Sequence, residues 1–169
     1  YRKGIRNFDA NLALDAMIAT SKHDELGKRQ YASNGFLGTN VEPESVSKTL
    51  EYAYDDWCIA QFAKEIGNEN VYTEYLNRSY NFLNVYDPQC KFMRARRGGQ
   101  WFTPFQPAEV NFNYTEANAW QYSLFAPHAI GVLAKLHGGN AQLETHLDKM
   151  FSASSETSGR NQADITGLI

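Results

Sequence analysis

The chain has 169 residues, of which 43% are hydrophobic and 14% aromatic, and its formal net charge is −3. This length and composition support a compact unit with a hydrophobic core, which excludes an intrinsically disordered protein. Acidic and basic residues are interspersed and no apolar run approaches the roughly 20 residues that span a bilayer, so we expect neither nucleic acid nor a membrane as a partner.

Helical patterns account for most of the first part of the sequence. Asp9 can cap a first helix that continues to about Thr20, and a second helical run extends from about Asp24 to Ser33. Gly35 supplies the left-handed residue that commonly ends a helix. From Ser45 to Ile66, apolar side chains occupy most of the helix circumference, which is typical of a helix with neighbours on several sides.

A helical hairpin and a β-hairpin are predicted next. Gly67 ends the long helix, and a helix from Asn70 to about Tyr86 is expected to return antiparallel to it. The segment from Phe92 to Phe102 has Gly98-Gly99 at its centre, which predicts a short β-hairpin or an ordered loop.

The remaining sequence predicts three more helices. Thr115 can cap the first, Pro127 suits the start of a second that ends at His137, and the third runs from Asn140 to about Phe151. Seven helices with hardly any strand pattern predict an all-α fold of antiparallel helical hairpins with a short β-hairpin. The absence of a sequence repeat of about 34 residues disfavours tetratricopeptide-type arrays.

The cysteine and histidine spacings argue against several kinds of site. Cys58 and Cys90 have no CxxC spacing, so we expect two free thiols, with a single disulfide as the alternative. The four histidines lack HExxH spacing, and the sequence has no Asp-rich loop of the EF-hand type. We therefore predict no metal site formed by this chain alone. No GxSxG or catalytic cysteine signature is present either.

The stretch from Asn113 to Tyr122 has the clearest functional chemistry. A helix capped at residue 115 would place Trp120 one turn beyond Glu116 on the same face, with Asn118 nearby. Such a site can bind and protonate a sugar if apolar surroundings disfavour the ionised acid, although a helix N-terminus acts in the opposite direction. Glu116 is also explained as an ordinary acid in a first helical turn.

Asp55 and Arg94 are candidates for sugar contacts outside this stretch. Asp55 and Asp56 differ by about 100° around the helix axis, and Glu51 lies one turn before Asp55, so these residues form an acidic corner. The alternative for Asp55 is a solvated or salt-bridged helix face. Arg94 is interpreted either as the ion-pair partner of Asp55 or Glu109, or as a contact to the sugar or the acid.

Aromatic side chains are dense between residues 101 and 114. Trp101, Phe102, Phe105, Phe112 and Tyr114 can line a pocket by stacking on sugar rings, or they can belong to the hydrophobic core. The predicted substrate-binding residues are Asp55, Arg94, Trp101, Tyr114, Asn118 and Trp120.

Four segments carry a longer pattern: SVSKTLEYAYDDWCIAQFAKEIG (45–67), FMRAR (92–96), NYTEANAWQYSLFAPH (113–128) and ADITGLI (163–169). In residues, order and spacing, they resemble glycoside hydrolase family 92, the calcium-dependent exo-acting α-mannosidases. The likeness extends over nearly the whole chain, from YRKGIRNFDA at its start.

The resemblance implies a catalytic role for Glu116, because the glutamate of the family's TE-x-NAWQY motif is its general acid. Position 117 is often glycine in the family and is Ala117 here, a departure that can alter the local turn. The resemblance further implies an inverting mechanism on α-1,2-linked mannose and a calcium ion that contacts the sugar. The base and the main calcium ligands are expected outside this chain.

The family's catalytic domain resembles an (α/α)6 toroid, so residues 1–169 are expected to form a single all-α segment, roughly half of it. The sequence has no initiator methionine and stops at DITGLI, so we expect a fragment of the larger domain. Its expected partners are the rest of that domain and a mannose-containing glycan. Self-association through uncovered apolar helix faces is also expected.

The compartment of the protein has to be taken from the resemblance, and a non-catalytic function is the alternative. The first residues lack the apolar core of a signal peptide, so the sequence itself indicates no compartment. The resemblance implies a periplasmic, cell-surface or secreted bacterial protein. The alternative function is a non-catalytic helical scaffold or carbohydrate-binding module that uses the same aromatic groove without hydrolysis.

Overall fold

A computed structural model describes residues 1–160, and helices are its main elements. The helices predicted from the sequence are present, although some boundaries differ. The α-helices of the described residues are α1 Ala10–Lys22, α2 Lys28–Asn34, α3 Ser45–Glu65, α4 Glu69–Arg78, α5 Ala119–Tyr122, α6 Ile130–His137 and α7 Asn140–Ser152, and a 3-10 helix, Ser79–Val85, follows α4 directly.

Short strands of two residues each form three small sheets within residues 1–160. The predicted β-hairpin is confirmed, because Arg96 pairs with Trp101 and Arg97 with Gln100. Gly98 and Gly99 form its turn with φ of 54° and 87°, values that glycine adopts without a steric penalty. The strands are β1 Tyr86–Asp87, β2 Phe92–Met93, β3 Arg96–Arg97, β4 Gln100–Trp101, β5 Glu109–Val110 and β6 Ser158–Gly159.

Two of the three sheets were not predicted. The antiparallel pair β1–β2 and the parallel pair β5–β6 have only two residues per strand, too short for an alternating pattern to identify. The chain is therefore mostly helical with small strands, instead of all-α with a single hairpin.

The start of α1 and the end of α2 follow the predicted capping chemistry. The Asp9 carboxylate accepts a hydrogen bond from the Leu12 N–H at 3.0 Å, which satisfies one of the free donors at the start of α1. Gly35 ends α2 in the left-handed conformation, with φ of 73°.

Helix α3 is the central element, because it contributes to two hydrophobic clusters. Val46, Leu50 and Ala53 in its first half are buried in the larger cluster, together with the 3-10 helix and residues from 92 to 133. Ile59 and Ala63 in its second half pack against α1 and α4 in the smaller cluster. This arrangement explains why α3 is apolar around most of its circumference. The short turn after α3 makes α3 and α4 the predicted helical hairpin.

Several predicted helix boundaries are wrong. Helix α2 begins at Lys28 instead of about Asp24, after Gly27 in the left-handed conformation. The helix expected from Asn70 to Tyr86 changes to the 3-10 form at Ser79, whose hydroxyl donates to the Leu76 carbonyl and competes with regular helical bonding. Helix α6 begins at Ile130 instead of Pro127. The Nε2 atom of the intervening His128 lies 2.9 Å from the Ser79 carbonyl oxygen, and this contact holds residues 127–129 in a turn.

Three further expectations concern the whole chain. Cys58 and Cys90 are free thiols, as predicted. Among residues 1–160, the helices are all too short or too polar to cross a bilayer. The segment from Ala163 to Ile169, which contributes to the family resemblance, lies outside the described residues.

Candidate active site

Helix α5 begins later than predicted, so Glu116 is not in a helix. Asn118 is the N-cap: its side chain accepts from the Gln121 N–H at 3.3 Å, while the Gln121 side chain accepts from the Asn118 N–H at 3.1 Å. This reciprocal capping box satisfies two backbone donors and outcompetes Thr115. Because Glu116 precedes the helix, Trp120 does not lie one turn beyond it on a common helix face.

Glu116 lies in a turn with a left-handed backbone, φ 50°, a conformation that residues with a Cβ adopt rarely. Its side chain is exposed, whereas Ala117, Asn118 and Ala119 are buried directly after it. The left-handed residue is therefore Glu116 itself, the predicted general acid. Ala117 has no positive φ, so its replacement of the glycine expected by resemblance costs no backbone strain.

The segment before Glu116 is bound to the start of α3. The Val46 N–H, one of the free donors in the first helical turn, donates to the Asn113 carbonyl at 3.1 Å. The Thr115 N–H donates to the Ser47 hydroxyl at 2.9 Å. These contacts fix the backbone next to the acid while its carboxylate faces solvent.

The two adjacent aspartates of α3 have different environments. Asp56 is only 2% exposed, accepts from Arg78 at 3.0 and 3.1 Å, and accepts from the Tyr31 hydroxyl at 2.8 Å. Burial raises the pKa of Asp56 to about 6, although Arg78 and the Tyr31 hydroxyl favour its ionised form. Asp56 therefore connects α2, α3 and α4, and both of its carboxylate oxygens are already paired within the protein.

Asp55 is exposed and borders a cleft of about 520 Å³ between the first four helices. Partial desolvation raises the pKa of Asp55, and Lys28 opposes that shift. Met17, Leu26 and Ile59 form apolar walls of the cleft. Glu116 is not among the residues that line it, so the structure does not bring Asp55 and Glu116 together in this cleft.

Arg94 binds neither of its predicted partners. It donates to the Asp87 carboxylate at 2.9 Å and, through two nitrogens, to the Phe102 carbonyl at 3.1 and 2.9 Å. The prediction of Asp55 or Glu109 was wrong because Asp87, in β1, becomes adjacent to Arg94 only when β1 pairs with β2. Burial opposes ionisation of Asp87, but hydrogen bonds from the Gln89 N–H and from Arg94 lower its pKa.

The predicted aromatic residues are divided between the core and the surface. Tyr114 is buried, and its hydroxyl donates to the Met93 carbonyl at 2.7 Å. Trp101 is half-buried in β4, where the Arg96 guanidinium lies 5.1 Å from its ring centroid. Trp120 is half-buried, with its ring 4.7 Å from that of Phe92. Trp101 and Trp120 therefore keep some exposed surface, whereas Tyr114 does not.

One pair near the acid was missed by sequence reasoning. The Tyr122 hydroxyl donates to the Glu51 carboxylate at 3.3 Å, which connects α5 to α3 beside Ser47. Burial raises the pKa of Glu51, and the hydrogen bond from Tyr122 acts in the opposite direction. Glu51 was predicted only as part of an acidic corner. No local pattern relates positions 51 and 122, so a contact between them could not be found from spacing.

The calcium implied by the resemblance is not matched by a cluster of acidic side chains in the part of the chain that the structure describes. There, no three His, Cys, Asp or Glu side chains lie close enough together to hold a metal ion. The acidic corner is divided, because Asp56 binds Arg78 and Glu51 binds Tyr122. These residues therefore do not fit a calcium site by themselves.

Three solved structures resemble the chain closely. A family GH92 α-mannosidase from Bacteroides thetaiotaomicron has a TM-score of 0.84 and 36% identity, over 89% of this chain and 21% of that chain. Its complex with mannoimidazole has a TM-score of 0.85 and 34% identity, over 98% of this chain and 22% of that chain. A family GH92 inverting mannosidase from Bacteroides thetaiotaomicron VPI-5482 has a TM-score of 0.83 and 34% identity, over 88% of this chain and 21% of that chain.

The sequence comparisons agree with the structural ones. An uncharacterized secreted glycosidase from Arthroderma benhamiae is 26% identical over 143 residues, covering 70% of this chain and 18% of the relative. The chain thus spans about a fifth of the length of the proteins it matches. The sequence model of the glycosyl hydrolase family 92 catalytic domain matches residues 1–168. The chain therefore belongs to glycosyl hydrolase family 92.

Proposed function

We propose that this chain is the part of an inverting exo-α-mannosidase that carries the general acid, Glu116. The observation that supports the proposal is the exposed carboxylate of Glu116 on a turn whose neighbouring backbone is bound to α3. A proton donor must reach the glycosidic oxygen, so a fixed backbone and an accessible carboxyl group are both required.

The reaction needs two carboxyl groups. In an inverting glycosidase, one acid protonates the leaving oxygen, while a second carboxylate, about 6.5 to 9.5 Å away, activates water on the opposite face of the sugar. Glu116 takes the first role, and the base belongs to the remainder of the catalytic domain. An acid that works near neutral pH also needs apolar surroundings. In this proposal, the bound sugar and the remainder of the domain supply them for the exposed Glu116.

The other predicted residues have different roles in this proposal. Asp55, Trp101 and Trp120 keep accessible surface, so they are free to contact the substrate directly, Asp55 from a cleft that Glu116 does not line. Arg94 and Tyr114 use their polar groups within the protein, and the side-chain oxygen of Asn118 accepts from the Gln121 N–H, so these residues act on the substrate through the residues they support. Replacing any of these three residues is therefore expected to weaken substrate binding less than replacing Asp55, Trp101 or Trp120.

The finer assignments concern the whole enzyme. We propose that the chain forms about half of an (α/α)6 toroid, and that the substrate is an α-1,2-linked mannoside. Calcium belongs to the same proposal, with ligands outside the described residues. The secreted relative supports an extracellular or periplasmic location. Because this chain supplies only the acid, we expect the isolated 169 residues to hydrolyse no mannoside detectably.

The test of the acid role is Glu116→Gln in the whole enzyme that contains this chain. General acid catalysis contributes about 10²- to 10⁴-fold, so turnover of a mannose disaccharide is expected to fall by about that factor. An aryl mannoside with an activated leaving group needs little protonation and is expected to lose much less. The matched control is Glu144→Gln, which replaces an exposed acid of α7.

Two results would contradict the acid role. Equal losses on both substrates would indicate that Glu116 binds or supports the sugar. Unchanged turnover in Glu116→Gln would favour the alternative of a scaffold or carbohydrate-binding module, in which no residue of this chain donates a proton.

A further inference from the structure

The turn that carries Glu116 is held by a group of four side chains from three parts of the chain. Ser47 and Glu51 lie one turn apart on α3, Tyr122 lies in α5, and Thr115 directly precedes the acid. The Tyr122 hydroxyl donates to Glu51 at 3.3 Å, and the Thr115 N–H donates to the Ser47 hydroxyl, so residues on both sides of the Glu116 turn are bound to α3. We call Ser47, Glu51, Thr115 and Tyr122 the clasp.

The clasp also includes a backbone contact. Ser47 is fully buried, and its hydroxyl oxygen accepts from the Thr115 N–H at 2.9 Å. Hydrogen bonds shielded from water are stronger and more directional than exposed ones. The residue that follows Thr115 is therefore held in a defined position relative to α3.

Glu116 needs such support because of its backbone. A left-handed residue other than glycine persists only where surrounding contacts determine its conformation, and such residues concentrate at functional sites. Within residues 1–160, only Leu26, Glu44, Lys91 and Glu116 have this conformation without being glycine. Only Glu116 of the four has been assigned a reaction step, and the clasp is the group of contacts beside it.

Charge favours the same arrangement. A carboxylate is a stronger acceptor than a neutral oxygen, so Glu51 orients the Tyr122 hydroxyl. Ser47, one turn before Glu51 on the same helix, accepts from the Thr115 N–H. The two contacts thereby attach α3 to the residue before Glu116 and to the helix after it.

We infer that Tyr122 and Ser47 are positioning residues for the general acid: through the clasp they hold the left-handed turn so that the Glu116 carboxyl group faces the glycosidic oxygen. This inference rests on the proposed function of Glu116. Tyr122 and Ser47 themselves do not contact the sugar or transfer a proton.

The experiment measures Tyr122→Phe and Ser47→Ala in the whole enzyme. A displacement of about 1 Å can cost on the order of 10²-fold in rate. We therefore expect kcat on a mannose disaccharide to fall about 10- to 100-fold with KM nearly unchanged. The activated aryl mannoside is expected to lose less than about threefold, since it depends little on the acid.

Two further measurements separate positioning from general support of the fold. The matched control is Tyr86→Phe, which removes another half-buried tyrosine hydrogen bond, 3.1 Å from the hydroxyl to the Leu136 carbonyl. It is expected to leave kcat on both substrates unchanged. In Ser47→Ala, the Thr115 amide loses its acceptor, so hydrogen exchange of a peptide spanning 113–118 is expected to accelerate.

A double-mutant cycle decides the outcome. If Tyr122 acts only through the acid, Tyr122→Phe adds no further loss on the disaccharide once Glu116→Gln is present. An additive loss, equal losses on both substrates, or full activity of both single variants would overturn the inference. If Tyr122→Phe does not fold, Ser47→Ala is measured in the same cycle. A substrate difference in Glu116→Gln but not in Tyr122→Phe would refute the clasp and leave the acid role intact.

Discussion

Glu116 and two histidines each have a feature that is unusual for their residue type: a left-handed backbone for Glu116, and burial of the side chain for the histidines. Glu116 has a left-handed backbone, and its exposure places the functional group where a substrate can reach it. His137 and His146 instead lie side by side in the interior, with ring centroids 4.5 Å apart. Within the described residues, neither ring nitrogen of His137 has a hydrogen-bond partner. Both histidines therefore favour the uncharged form.

The histidine pair predicts a specific pH dependence of stability. Burial, His146 and Lys91 lower the pKa of His137 to about 4, from 6.5. Burial, Lys149 and Lys91 also lower the pKa of His146. A lowered pKa means that the unfolded state binds the proton first. The contribution to stability is intact above pH 6.5 and falls between pH 6.5 and 4.

Thermal unfolding at several pH values tests this dependence. We expect the free energy of unfolding to decrease by about 2 to 3 kcal/mol between pH 7 and 4.5 through this pair. His137→Leu should remove most of that slope, whereas His23→Leu, at an exposed histidine, should not. Identical slopes in His137→Leu and the unchanged protein would contradict the assignment.

At the scale of elements, long helices and glycine-marked turns could be predicted from the sequence, and short elements could not. Helix α3 was predicted within one residue because 21 residues carry a strong apolar pattern. Helix α5 has four residues, too few for periodicity, and its predicted cap, Thr115, is wrong because Asn118 is the cap in the structure. Gln121 completes the capping box with Asn118, a pairing that the sequence analysis did not consider.

The candidate site was predictable in the same uneven way. Glu116 could be proposed as the general acid because the motif that contains it is local in sequence. Contacts such as Arg94 with Asp87, or Tyr122 with Glu51, join residues that only the fold brings together. Sequence spacing carries no information about such pairs, so the role of Arg94 was assigned to the wrong partners.

The adjacent aspartates of α3 allow a matched test of how this element is held. Asp56 pairs with Arg78 in the interior, and removing one partner of a buried ion pair typically costs about 3 to 5 kcal/mol. Asp56→Ala is therefore expected to destabilise the protein by about that amount in denaturant unfolding. Asp55→Ala, one residue away and exposed, should change stability by less than about 0.5 kcal/mol and weaken substrate binding. Similar effects of both substitutions on stability would contradict the structure.

At the scale of the whole molecule, large apolar side chains remain on the surface. Leu12 is 66% exposed and Phe151 67%, and Ile5, Phe112 and Ile130 are also exposed. Apolar surface of this kind commonly marks an interface. The matched proteins are more than four times as long as the chain, which agrees with the proposal that these side chains pack against the remainder of a catalytic domain.

Exposed apolar residues predict that the isolated chain self-associates. Sedimentation velocity is expected to show dimers or larger species at micromolar concentration, together with binding of a hydrophobic dye. Leu12→Lys and Phe151→Lys together should reduce both signals, whereas Lys3→Leu, which adds an exposed apolar group, should not. A strictly monomeric chain that binds no dye would contradict this prediction.

The proposed mannosidase function depends on Glu116 donating a proton. In a pH profile of kcat/KM, the basic limb reports the ionisation of the essential acid in the free enzyme. The most direct measurement is this profile for the whole enzyme and its Glu116→Gln variant, with the mannose disaccharide, whose leaving oxygen must be protonated. We predict that Glu116→Gln abolishes the basic limb and leaves the acidic limb, which reports the base, in place. A basic limb that persists unchanged in Glu116→Gln would show that another group is the acid.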